Sequence, residues 1–100
     1  MRDSFAYTVT VEEIDPLPEA KYRVTVRNGT TTTHEVSLSE PYWEELTGES
    51  AAPDILVQQS FRFLLSHESN ESILRRFSLQ DIESYFPEYR EVVRKMLSDM

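Results

Sequence analysis

Few residues in this chain have types and spacings that suit chemistry, and they are scattered. Histidine occurs twice, at 34 and 67, without the close spacing by which a helix presents two imidazoles to a metal. Cysteine is absent, which excludes disulfides, thiolate nucleophiles, iron–sulfur clusters and sulfur-ligated zinc. Adjacent carboxylates stand at Glu12-Glu13 and Glu44-Glu45. Neighbouring side chains on a strand or helix point in different directions, so neither pair converges on a substrate as a general acid and base. Ser39 and Ser78 directly precede helical patterns, where a serine hydroxyl caps exposed backbone N–H groups. Two glycines are present, Gly29 and Gly48, both at positions suited to turns, so no phosphate-cradling loop can be built. These residues assign no catalytic residue, no cofactor and no metal.

Two features invite a sharper reading. Lys21, Arg23 and Arg27 fall on one face of a strand, as a phosphate-binding strip would. RNA-reading sheets add aromatics to that exposed face, whereas Tyr7 and Tyr22 share the opposite face with the valines, and Glu35 offsets the charge. His34 is the second feature. It points inward and is expected to be a hydrogen-bonded core residue. The sequons Asn28-Gly29-Thr30 and Asn70-Glu71-Ser72 read as a turn and a helix cap rather than glycosylation sites.

The elements that must position these side chains follow from periodicity. Alternation from Phe5 to Val11 marks a strand, which Asp15-Pro16-Leu17-Pro18-Glu19 terminates. A second strand turns Ala20, Tyr22, Val24 and Val26 inward; a third, from about Thr30 to Leu38, turns Thr32, His34, Val36 and Leu38 inward. Asn28-Gly29 invites a two-residue hairpin, but that register places Val36 among outward cations. A three-residue loop, Arg27-Asn28-Gly29 with Gly29 left-handed, restores the faces. It pairs Val26 with Thr30, Val24 with Thr32, Tyr22 with His34 and Ala20 with Val36, and sets Lys21 against Glu35.

Helices follow. Ser39 caps the first, which carries Pro41 in its first turn and ends at Gly48. The main helix begins at Pro53, runs to about Ser66 and is apolar around most of its circumference. Only Asp54, Gln58, Arg62 and Ser66 form a polar stripe, so it must be nearly buried. A short helix capped by Ser69 or Asn70 presents Ile73, Leu74 and Phe77, with Arg75 and Arg76 outward. Another is capped by Ser78, with Asp81 completing the capping box. After an aromatic corner at residues 85–89, the last helix repeats Tyr89, Val92, Val93, Met96, Leu97 and Met100. The fold class is therefore α+β: a three-stranded antiparallel β-meander over residues 1–38, then four to five short amphipathic helices over 39–100, in one domain.

The formal net charge is −8, and acidic residues outnumber basic ones in both halves. Such a field repels nucleic-acid backbones. No signal-peptide pattern and no stretch of membrane-spanning length occurs, so the chain is expected to be cytoplasmic and off the membrane.

Phe61-Arg62-Phe63-Leu64-Leu65, Glu71 to Phe77 (ESILRRF), Ile82-Glu83 and Tyr85-Phe86-Pro87-Glu88-Tyr89 resemble the C-terminal block of a group of short, uncharacterised bacterial proteins. Gly29 to His34 is similar to an upstream segment of that group. The resemblance implies a shared small fold and brings no activity, cofactor or site residue.

Three functions compete. An enzyme lacks its nucleophile or acid–base pair. A ribbon–helix–helix DNA-binding regulator or antitoxin matches the order of strand 34–38, helix 39–48 and helix 53–65. It would read DNA with Thr31, Thr33, Glu35 and Ser37, a row without a single cation. A non-enzymatic module that docks on a protein or on itself fits the apolar excess best, with Tyr89, Val92, Val93, Met96, Leu97 and Met100 as its expected surface.

Overall fold

The computed structural model describes residues 7–100; the start of the expected first strand, at Phe5, lies outside them. The first three strands are β1 (Thr8–Asp15), β2 (Glu19–Asn28) and β3 (Thr30–Ser39), joined as the expected antiparallel meander. β1 continues four residues beyond Val11, with a register shift between Glu13 and Asp15. The inward faces are those the alternation requires. Ala20, Tyr22, Val24, Val26, Val36 and Leu38 are buried, together with Thr32 and His34.

The hairpin register differs from the expected one by two residues. Arg27 pairs with Thr31, Val26 with Thr32, Val24 with His34, Tyr22 with Val36 and Ala20 with Leu38. Gly29 alone sits at the apex, at φ 83°. Side chains repeat every two residues along a strand, so face parity excludes odd shifts and is blind to even ones. The tighter turn extends the ladder to Glu19 and Ser39. Lys21 consequently faces Ser37 and reaches Glu35 only diagonally, at 3.6 Å.

A fourth strand, β4 (Arg76–Ser78), completes the sheet in the order β1-β2-β3-β4 and runs parallel to β3. This corrects the helix expected over residues 70–77. Asn70–Ser72 forms one 3-10 turn, Ile73 is already extended, and Arg76–Ser78 pairs with Glu35, Val36 and Ser37. Ile73, Leu74 and Phe77 do fit a helical spacing. The open edge of β3 overrides that pattern by offering backbone partners, as when the Glu35 amide donates to the Arg75 carbonyl at 2.8 Å.

The described residues form four helices, of which the first two contact the sheet. α1 (Glu40–Thr47) starts at Ser39, whose hydroxyl accepts from the Tyr42 amide, and ends at left-handed Gly48. α2 (Pro53–Leu65) buries Leu56, Val57, Ser60, Phe61, Phe63 and Leu64 and packs against both β1 and α4 (Tyr89–Ser98). Between them, a 3-10 turn at Leu79–Asp81 leads into the short α3 (Ile82–Tyr85). The Ser78 amide donates to the Asp81 side chain there and the Ser78 hydroxyl accepts from the Asp81 backbone, the expected capping box. Phe61 joins the layers, its ring 5.3 Å from His34 and 5.9 Å from Phe77.

Candidate functional site

The 68–86 stretch folds back on the end of α2 and leaves a groove. Its floor is Leu64, Ile73 and Ile82, all buried; Phe77 and Phe86 form half-buried walls. At the mouth stand Leu74 and Tyr85, which remain 52% and 67% exposed. The cavity is about 370 Å³, within the range of small binding clefts. Both are large side chains with apolar surface left in water beside one apolar hollow.

A polar seam, beside the apolar packing of Ile73 and Phe77, ties the groove's outer wall to the sheet. Asn70 donates to the Thr30 carbonyl at 3.2 Å and to the Thr32 hydroxyl at 3.0 Å. The Thr32 hydroxyl lies 2.8 Å from His34 Nε2, and His34 Nδ1 lies 2.8 Å from the Leu74 carbonyl. A carbonyl can only accept, so Nδ1 carries the proton and Nε2 accepts from Thr32. Burial pulls the His34 pKa below its ordinary 6.5; the Leu74 carbonyl opposes that shift and the Arg75 charge assists it. The imidazole is neutral and structurally committed, as expected for a core histidine. Ser37 and Ser78 hydroxyls, 2.8 Å apart, continue the seam along β4.

The opposite wall turns on an aromatic corner. Phe86 packs edge-on against Phe63 at 5.6 Å and stacks on His67 at 4.8 Å. Phe63 also lies 5.4 Å from Tyr89, whose hydroxyl is 2.6 Å from Ser60 Oγ. The Ser60 hydroxyl donates to the Leu56 carbonyl, so Tyr89 must donate to Ser60.

A second polar cluster ties α1 to α3 and α4. Glu83 accepts from the Tyr42 hydroxyl and from Arg90 at 3.1 Å, while Arg90 also reaches Glu45 at 2.6 Å. Partial burial works to raise the Glu83 pKa, but the Tyr42 hydroxyl and the Arg90 guanidinium hold it below the usual carboxylate value. Arg94 donates to the carbonyls of Glu45 and Leu46. Burial pushes Tyr22 up to about 12, and it raises Tyr42 and Tyr89 as well.

The terminal stripe does not form one surface. Tyr89 and Val93 are fully buried against the core, and Met96 and Leu97 are half-buried on it. Only Val92 and Met100 are exposed, at 37% and 70%. An amphipathic stripe states which face of a helix turns inward, and here that face meets α2. The apolar residues that do reach solvent beside a cavity are Leu74, expected on a helix face, and Tyr85, expected in the aromatic corner. Their exposure depends on the extended backbone at Ile73 and Phe86, which no local periodicity announces.

On the sheet's outer face two members of the cationic row, Lys21 and Arg23, are paired with acids. Glu12, Arg23, Glu35 and Arg76 stand directly opposite one another across all four strands. Arg23 meets Glu12 at 3.1 Å, and Lys21 and Arg76 each meet Glu35 at 3.6 Å. β3, which a ribbon–helix–helix protein would pair with a second subunit, has β2 on one side and β4 on the other. Among the described residues no group of three or more histidines or carboxylates is placed to hold a metal, and no helix is long and apolar enough to cross a membrane. Comparison with protein-family models, curated proteins and solved structures finds no match. The described residues thus form an α+β fold with a mixed four-stranded sheet and an apolar groove lined from the end of α2 and the 68–86 stretch.

Proposed function

We propose that this protein is a non-enzymatic interaction module whose working surface is the groove between the end of α2 and the 68–86 stretch. The observation that carries this reading is the pairing of exposed Leu74 and Tyr85 at the mouth of an apolar cavity of about 370 Å³. Anchoring one or two apolar side chains of a partner in such a hollow is how small domains obtain most of their binding energy. The groove replaces the terminal helix as the proposed surface, because Tyr89 and Val93 are already spent on the core.

Photocrosslinking tests it. A benzophenone amino acid at position 85 should join the protein to a discrete partner in native lysate, and Leu74→Asp should abolish the product. The same probe at position 27, on the bare sheet face, should give none. Equal yields from the two positions would defeat the reading.

A further inference from the structure

The groove has a sign as well as a shape. Among the described residues, Glu68 and Asp81 line it, and no lysine, arginine or histidine does. The same stretch of chain carries bases directly after Leu74, yet Arg75 and Arg76 line a different depression. They sit there with Arg23, Thr33, His34 and Glu35 at the other side of the segment. Arg76 is bound there to Glu35. Of the charged side chains in the 68–81 segment, Glu68 and Asp81 line the groove, while both bases, Arg75 and Arg76, and the third acid, Glu71, lie off it. Asp81 spends one carboxylate oxygen on the Ser78 amide and keeps the other for a partner. The chain's net charge of −8 adds an attractive field for cations.

We infer that the groove receives a cationic segment of a partner protein, with one aliphatic or aromatic side chain seated on Leu64, Ile73 and Ile82 and flanking lysine or arginine side chains meeting Glu68 and Asp81. This rests on the docking reading above and adds the chemistry of the partner. A second copy of the chain is the wrong occupant, since each copy carries −8 and the two repel.

Three synthetic peptides test the charge. Each has a Trp-Leu core flanked on both sides by two lysines, two serines or two glutamates, and each is titrated into the 15N-labelled protein. The lysine peptide should shift the amides of Ile73, Leu74, Phe77, Ile82 and Tyr85. It should bind about fivefold more tightly than the serine peptide, the gain expected from two solvent-exposed ion pairs. The glutamate peptide should bind more weakly than either. Glu68→Gln combined with Asp81→Asn, which keeps side-chain shape, should level the lysine and serine peptides; Glu68→Lys combined with Asp81→Lys should place the glutamate peptide above the lysine peptide. Equal binding of all three at the groove overturns the charge inference and leaves the docking reading standing. Shifts spread over the acidic surface, with the groove amides still, overturn both. Broadening of the groove amides that grows with protein concentration alone overturns it in favour of self-association.

Discussion

His34 Nδ1 lies 2.8 Å from the carbonyl oxygen of Leu74, forty residues further along the chain. That hydrogen bond connects the centre of the β-meander to the rim of the groove, and it holds only while the imidazole keeps its proton on Nδ1.

The first prediction concerns pH. The folded His34 pKa lies below the unfolded value near 6.5, so the unfolded chain binds the proton first as pH falls. Stability should be unaffected by this group above pH 6.5. Below it, stability should decline until the folded value is passed, with a slope of at most about 1.4 kcal/mol per pH unit. Urea unfolding at pH 7.5, 6.5 and 5.5 measures it. A His34→Gln variant should be less stable at pH 7.5 and should lose this component of the slope.

Tyr89→Phe isolates one buried hydrogen bond. The Ser60 hydroxyl keeps its bond to the Leu56 carbonyl and loses only the donor from Tyr89. The cost should be about 1 kcal/mol. A Tyr89→Ala change also empties a fully buried site and should cost about 3–5 kcal/mol. A calorimetric comparison in which both variants lose the same amount would contradict this arrangement.

Glu83→Gln should weaken the tie between α1 and α4. The carboxylate is partly exposed, so the loss should be limited to about 1 kcal/mol. It should shrink further in high salt, whereas the Tyr89→Phe effect should not. The native carboxylate's contribution is present above the unfolded carboxyl pKa and disappears as pH falls through the lowered folded value. Thermal unfolding in low and high sodium chloride separates the two variants.

Gly29→Ala should cost about 1–2 kcal/mol because a left-handed residue at φ 83° places a Cβ against its own backbone. No other atom lies within 4 Å of that added carbon, so the penalty is purely conformational. Gly29→Asn should recover part of it, since asparagine tolerates this region better. Chemical denaturation of the three proteins ranks them.

The meander, its inward faces, the caps at Ser39 and Gly48 and the span of α2 were legible because each rests on local chemistry. The hairpin register was legible only to parity: Val24 opposite Thr32 and Val24 opposite His34 satisfy the same faces. What separates them is the tighter turn at Gly29 and the longer ladder it permits. β4 was illegible because three residues are too few to display a period, and its existence depends on a vacant edge forty positions earlier. The groove shares that dependence. Tyr89 to Met100 showed a clean apolar stripe, but periodicity reports which side of a helix is greasy and not whether another helix already covers it.

The parallel seat of β4 beside β3 has a consequence for how the chain reaches this state. β1, β2 and β3 join through short turns and can pair as soon as they are synthesised. The outer edge of β3 at Glu35 to Ser37 has no strand partner until Arg76 to Ser78 have emerged and the intervening helices have folded back. Closing a span of that length costs entropy before any contact repays it. Between those two moments the nascent chain presents an open edge strand, the feature that most readily recruits a neighbouring chain. β4 therefore covers the sheet's edge, and the residue just before it, Arg75, accepts the Glu35 amide that would otherwise stay open on that edge.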